Sequence, residues 1–350
     1  MDKKENKLKQ NILITGGAGF IGSNFVRYIF EHYPDYNIIV LDALTYAGNT
    51  DNIPDNIKKD SRFSFWYGNV RNGELVNDLV AKSDVVFHFA AESHVARSIF
   101  DNAVFFETDV LGTQTVANAM LKNRDSVKRF IHISTSEVYG TATETPMTEE
   151  HPLNPASPYA GAKAGADRLV YSYWVTYGLP AIIIRPFNNY GPNQHLEKVI
   201  PRFITSALLD EPLTVHGSGD NTRDWVYVED VCQALDKVMH TNLDKVKGEV
   251  INIGTGRDTA VMTIAEMVLD ILDKPKSLIT QIGDRPGQVS KHISSTNKAL
   301  SVLGWKAQTD FEDGLARTIE WYQQNPAWWQ KLLWMRHVPI KTRDGKVEYH

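Results

Sequence analysis

The feature that most restricts this chain is the run Gly16-Gly17-Ala18-Gly19-Phe20-Ile21-Gly22, set between an apolar stretch at 11–15 and an amphipathic stretch at 20–31. A strand that ends in closely spaced glycines and restarts as a helix reads as the first turn of a dinucleotide-binding βαβ unit. Glycine lets the backbone bend tightly and bring N–H groups against a pyrophosphate, and the helix N-terminus adds a dipole that favours the anion. Gly22 then permits close packing of helix on sheet. The spacing fits GxxGxxG from Gly16 and GxGxxG from Gly17. Asp42 lies 20 residues beyond Gly22, at the end of the next apolar run. A carboxylate there accepts hydrogen bonds from an adenosine ribose and repels a 2'-phosphate. Ala43, Leu44 and Thr45 supply no cation in its place, so the reading favours NAD over NADP. The expected cofactor contacts are Gly16, Gly19, Phe20, Ile21, Gly22 and Asp42, then Asn69 and Val70 after the third run, and Ala90 and Ala91 after the fourth.

Apolar runs at 11–15, 37–41, 63–67, 85–89, 129–134 and 181–185 alternate with helical patterns at 20–31, 74–81, 103–121 and 158–177. That alternation predicts an α/β fold: a Rossmann-type doubly wound parallel sheet covered by helices on both faces. Beyond 188 the pattern loosens, and Gly, Pro and Asn gather at 188–193, 217–221 and 283–287. The expected division is a nucleotide-binding domain over 1–190 and a smaller C-terminal α/β lobe over 191–350 that binds substrate, with some exchange of chain between them. The aromatic tail around Trp321, Trp328, Trp329 and Trp334 reads as packing.

Thirty-seven basic against 42 acidic residues give a formal net charge of -5, so nothing draws the chain broadly to nucleic acid or anionic lipid. The single cysteine, Cys232, excludes an internal disulfide, and neither an apolar leader nor a membrane-length apolar run is present. A cytoplasmic protein is expected. The eleven histidines show no metal-ligand spacing, and no metal is expected; His94 reads as a structural hydrogen-bonding residue. Gly217-Ser218-Gly219 lacks the spacing of a nucleophile elbow.

Tyr159 and Lys163 stand four apart in a helical pattern, which puts both on one face. A phenol is a poor base near neutrality. A neighbouring ammonium and a positive nicotinamide ring would both favour phenolate and let Tyr159 take a hydroxyl proton as hydride leaves the same carbon. Thr135, at a strand end, can share that hydroxyl's hydrogen bond. In Ser134-Thr135-Ser136-Glu137 a carboxylate follows two residues later. Oxidation to a ketone acidifies the adjacent C–H, which Glu137 can remove as general base.

The chain resembles the nucleotide-sugar 4,6-dehydratases of the extended short-chain dehydrogenase family. The resemblance rests on GGAGFIGSNF from Gly16, DALTYAGN from Asp42, FAAESHV from Phe89, STSEVYG from Ser134, SPYAGAKAGAD from Ser157, NNYGP from Asn188, EKVIP from Glu197, RDWVYVED from Arg223 and DRPGQ from Asp284. It implies NAD, a nucleotide-diphosphate sugar as substrate, Tyr159 as C4 base with Lys163 as partner, and Glu137 as C5 base. It implies substrate contacts from Ser93, Asn188, Asn189, Glu197, Lys198, Arg223, Asn252 and Arg285, and a homodimer built from the helices at 103–121 and 158–177. Family members that act on glucose carry Asp, the acid for the leaving 6-hydroxyl, where this chain has Ser136, and Asp where it has Ala96. The leaving-group proton would then come by relay through Ser136, a water or protonated Glu137. Thr135-Ser136-Glu137 instead resembles the dehydratases that act on GDP-mannose or nucleotide-linked N-acetylglucosamine and the UDP-glucuronate decarboxylases. The nucleobase and sugar therefore stay open, as do a 4-epimerase and a UDP-glucuronate decarboxylase that would use Arg185 or Arg223 for the substrate carboxylate.

Overall fold

A computed structural model describes residues 10–283, 289–341 and 346–349. Seven parallel strands form one sheet: β1 Asn11–Thr15, β2 Asn37–Asp42, β3 Phe63–Tyr67, β4 Val85–His88, β5 Arg129–Ile133, β6 Ala181–Pro186 and β7 Val250–Ile253. Their order is β7-β6-β5-β4-β1-β2-β3, with the reversal of winding between β1 and β4. In register, Thr15 stands beside Leu41 and His88, so the strand ends that carry the loops are level. The inner strands β4, β5 and β6 are buried at every position, as near-continuous apolar runs demand. Edge strand β3 differs and leaves Trp66 and Tyr67 exposed.

Local chemistry sets the helix limits. Helix α1 (Phe20–His32) buries Gly22, Phe25, Val26 and Ile29 against the sheet. In α2 (Gly73–Ala81) the Asn72 side chain accepts the Leu75 N–H at 3.2 Å. The pattern at 103–121 is not one regular helix: a wide π-helical turn at Phe106–Gly112 interrupts it before α3 (Thr113–Lys122). Helix α4 (Pro158–Tyr177) matches its expected limits. Ser157 Oγ accepts the Ala160 N–H at 3.2 Å, Pro158 opens the first turn, and Gly178 at φ 67° closes the last.

After β6 the chain builds the smaller lobe from two-stranded pairs, Asn188–Tyr190 with Trp225–Tyr227 and Leu213–His216 with Ile279–Ile282, and a three-stranded patch centred on Thr222–Arg223. Helix α5 (Val199–Leu208) packs into the second core through Ile200, Phe203 and Ile204. The chain then returns to the large sheet. Helix α6 (Val228–His240) packs on α1 and puts Val231, Leu235 and Val238 into the main core, and β7 extends the sheet beside β6. Of the aromatic tail, Trp328 and Trp329 are buried, but Trp334 is 77 % exposed, against the packing expected of it. Among the described residues no helix is long and apolar enough to cross a membrane.

Candidate active site

The C-terminal ends of the strands and the smaller lobe enclose a cleft of about 440 Å³. Its sheet side carries Gly16, Gly19, Phe20, Ile21, Gly22, Asp42, Asn69, Val70, Ala90 and Ala91, together with Thr135, Ser136, Glu137, Tyr159 and Lys163. The same cleft is also lined by Ser93, Asn188, Asn189, Glu197, Lys198 and Arg223.

The glycine loop is shaped by contact. Gly16 has φ 71°, and a Cβ there would lie 2.6 Å from the Ala90 nitrogen; at Gly22 a Cβ would meet the Gly16 carbonyl oxygen at 2.3 Å. A Cβ on Gly19 would meet only that same oxygen, at 3.3 Å, so the loop keeps a cradle open at the head of α1. Asp42 accepts the Ala18 N–H at 2.9 Å through Oδ2 and the Leu44 N–H at 2.8 Å through Oδ1. Burial raises the carboxyl's pKa, and those two N–H groups oppose the rise. The carboxylate is thus held in place with lone pairs left for a ribose. Cradle, helix N-terminus and oriented acid together fit a dinucleotide.

The loop after β5 positions the reacting groups. Thr135 Oγ1 accepts the Glu137 N–H at 3.2 Å, closing the 3-10 turn Ser136–Tyr139. Gly140, at φ 67°, ends the turn where a Cβ would lie 1.9 Å from the Asn154 carbonyl oxygen. The Tyr159 phenol hydrogen-bonds with Thr135. Burial, then the charges of Asp109 and Glu137, hold the phenol above its ordinary range, and Thr135 works the other way. The expected lowering by Lys163 is absent from the protein alone. The Lys163 ammonium donates to the Ile133 carbonyl at 2.7 Å, its pKa is lowered by burial, and its counter-charges are Asp109 and Asp167.

Asn252 is placed elsewhere. It is fully buried outside the cleft: its Oδ1 accepts from Tyr139 Oη at 2.7 Å, its Nδ2 donates to the Met147 carbonyl at 3.1 Å, and its N–H goes to Glu149 Oε1 at 2.8 Å. Arg185 belongs to the same wall and pairs with both Asp167 oxygens at 2.9 Å, while Ser134 Oγ donates to Asp167 at 2.7 Å. A guanidinium so engaged cannot receive a substrate carboxylate. Arg223 does line the cleft. Arg285 lies outside the described residues.

Glu197 takes the Arg97 guanidinium at 2.7 Å on Oε2. Burial opposes its ionisation, yet the charges of His94, Lys198, His195 and Arg97 hold the carboxyl at about 2. It is a fixed anion that orders the cations around it. Lys198 Nζ donates to the Ser93 carbonyl at 3.3 Å. The sequence reading missed Arg202, which lines the cleft one helical turn beyond Lys198 on α5 and has its pKa lowered to about 10 by burial and by Arg336. The i, i+4 spacing of the two cations was its available signal.

A sequence profile of the family described as GDP-mannose 4,6 dehydratase matches residues 13–318. The low-salt glycan biosynthesis protein Agl12 of Haloferax volcanii is 45 % identical over 312 residues, covering 89 % of this chain and 98 % of that protein. A dTDP-glucose 4,6-dehydratase of Streptomyces antibioticus is 40 % identical over 327 residues, covering 92 % and 95 %. Among solved structures, a double mutant of DesIV, a dTDP-glucose 4,6-dehydratase from Streptomyces venezuelae with NAD and DAU bound, superposes with a TM-score of 0.87 at 42 % identity, covering 92 % of this chain and 99 % of that one.

Proposed function

Since this chain belongs to the GDP-mannose 4,6-dehydratase family, we propose that it removes water from the hexose of a nucleotide sugar to give the 4-keto-6-deoxy product. The names of its relatives favour dTDP-glucose, and Ser136 in place of the glucose enzymes' Asp keeps GDP-mannose and UDP-N-acetylglucosamine as candidates. It is an NAD-dependent nucleotide-sugar 4,6-dehydratase, a hydro-lyase. The observation that carries the assignment of roles is Glu137, held by the Thr135 cap in the same cleft as Tyr159.

NAD bound along the glycine cradle and Asp42 supplies the acceptor and later donor of hydride. Tyr159 takes the proton of the C4 hydroxyl, with Thr135 sharing that hydroxyl and fixing its direction. Burial and Asp109 hold the Tyr159 phenol protonated in the protein alone, so it would act as a base with NAD bound, whose positive ring would favour phenolate. Lys163, pinned to the Ile133 carbonyl, orients the ribose edge. With C4 a ketone, Glu137 removes the acidified C5 proton, and the same carboxyl, now protonated and beside Ser136, gives it to the departing 6-hydroxyl; the C5–C6 alkene left behind takes the hydride back at C6 and a solvent-derived proton at C5 through Glu137. Arg223, Lys198 and Arg202 hold the diphosphate side, with Ser93, Asn188, Asn189 and Glu197 around the sugar.

The two lobes divide these tasks, with the boundary near 190 and β7 and α6 crossing back to the nucleotide side. We place the enzyme in the cytoplasm, where its buried lone thiol, Cys232, stays reduced. Two copies pair through the segment around Phe106–Gly112 and through α4.

The test is incubation with dTDP-glucose, UDP-glucose, UDP-N-acetylglucosamine, GDP-mannose and UDP-glucuronate, with product masses read out. Loss of one water from dTDP-glucose is the expected result, and loss of one water from another sugar of the panel would keep the reaction and change the substrate. Unchanged mass with isomerisation at C4 would make the protein an epimerase. Loss of carbon dioxide from UDP-glucuronate would make it a decarboxylase, against the engagement of Arg185 by Asp167.

A further inference from the structure

Asp109 is a buried carboxyl that the reaction as described leaves unused. It lies on the wide turn Phe106–Gly112 and is 1 % exposed. Several elements fix its place. Oδ1 accepts the Glu92 N–H at 2.8 Å, and its backbone carbonyl accepts the Thr113 hydroxyl at 2.5 Å. That hydroxyl meets His88 Nε2 at 3.0 Å, and His88 Nδ1 meets Thr15 Oγ1 at 2.7 Å, which ties the turn to β4 and β1. Oδ2, by contrast, is buried with no hydrogen-bond partner among the described residues. A carboxyl in that condition is either neutral or set against a charge. The charges acting on it are the Lys163 ammonium, which favours its ionisation, and the Glu92 carboxylate, which opposes it, and the carboxyl in turn acts on both Lys163 and Tyr159. Phe105, at the head of the same turn, meets the Tyr159 ring edge-on at 6.2 Å.

We propose that Asp109 is a positioning residue for the Tyr159 and Lys163 pair: its carboxyl, fixed behind the cleft wall on the turn that packs against α4, acts on both by its charge and so sets the pH at which Tyr159 can accept the C4-hydroxyl proton. The proposal rests on Tyr159 being the C4 base. The groups facing this cluster are Lys163 and Tyr159 from α4, Glu92 from the loop after β4, His88 from β4 and His132 from β5, with Asp167 acting on Lys163 and Glu137 on Tyr159. Burial and the Lys163 charge keep both histidines neutral. Burial lifts Asp109 to about 7, with Lys163 and the Glu92 N–H pulling it down. As pH rises through that value the carboxyl ionises. Its negative charge then favours the ammonium and disfavours the phenolate, so it holds the acid limb of the reaction at higher pH than a neutral group would.

Asp109→Asn keeps the shape and the acceptor for the Glu92 N–H while removing the charge. In the NAD-loaded protein, the Tyr159 phenolate is read as the ultraviolet difference against an Asp109→Asn/Tyr159→Phe partner, with the wild type read against Tyr159→Phe. The titration should fall by roughly one pH unit in the amide variant, and the acid limb of kcat for dehydration should move down with it. A purely structural Asp109 would change amplitude or melting temperature and leave both in place, which overturns the proposal. The phenol titration needs no substrate. A shifted phenol with no turnover in the substrate panel would therefore sink the dehydratase reading alone, and full turnover with an unshifted phenol would sink this one. Should the amide variant not fold, infrared difference spectra of the wild type decide the matter: a buried carboxyl band lost as pH rises through about 7 is expected, and no such band refutes the inference.

Discussion

Glu137 reaches its place through a backbone bond rather than an ion pair. Its N–H is held by Thr135 Oγ1, so the residue proposed to orient the C4 hydroxyl also positions the proposed C5 base. Glu137→Gln keeps the size and hydrogen-bonding reach and removes the basicity. Water loss from the accepted nucleotide sugar should fall roughly 10²- to 10⁴-fold, and deuterium uptake at C5 in heavy water should fall in parallel; dehydration at the wild-type rate would exclude the assigned role. At this scale, what was legible in the sequence was residue type at fixed spacing: Tyr159 with Lys163, and Thr135 with Glu137. The partners were not legible, because they come from other elements. Nothing in the spacing says that Lys163 lies against the Ile133 carbonyl, that Asp109 stands behind it, or that the Asn252 amide is consumed by Tyr139 and Met147.

Elements succeed or fail on backbone packing, and the loop before α1 shows it. A methyl on Gly22 would lie 2.3 Å from one backbone oxygen and 3.0 Å from the Gly17 Cα, neither of which a rotamer change can move. Gly22→Ala should therefore lose roughly 1–3 kcal/mol and shed NAD, read as a lowered melting temperature and lowered cofactor content after purification. Gly161, with nothing within 4 Å of its added Cβ and a place inside α4, is the contrasting site. Its alanine variant should gain up to about 1 kcal/mol from helix propensity. Equal effects at the two positions would show that the glycine loop is not limited by contact. The strands and α4 were legible because periodicity and caps agree over them. Strand β7 was not, since its four residues follow a long excursion through the smaller lobe. Nor was the π-helical turn, whose composition looks helical throughout and whose widening is set by where Asp109 and Thr113 find partners.

At the scale of the molecule, the reaction chemistry and the outer surface share the same two segments. Phe106 and Leu111 are exposed on the turn that buries Asp109, with Phe100 and Val104 just before it, and Tyr171, Val175 and Tyr177 are exposed on the helix that buries Lys163. The two segments pack against each other, so their apolar side chains lie on neighbouring stretches of surface. Single apolar side chains on a surface need no explanation, whereas this grouping on adjacent elements fits a self-complementary twofold contact. A stable interface of this kind buries roughly 1,200–2,000 Å². Sedimentation should give a dimer mass, and Leu111→Glu with Val175→Glu, which sets like charges into that contact, should give a monomer. Mass action supplies an independent check: the wild-type melting temperature should rise with protein concentration, and that of the double variant should not. A wild type that sediments as a monomer at every concentration would leave the apolar face without this partner and would confine Asp109, Lys163 and Tyr159 to a wall that one chain supports alone.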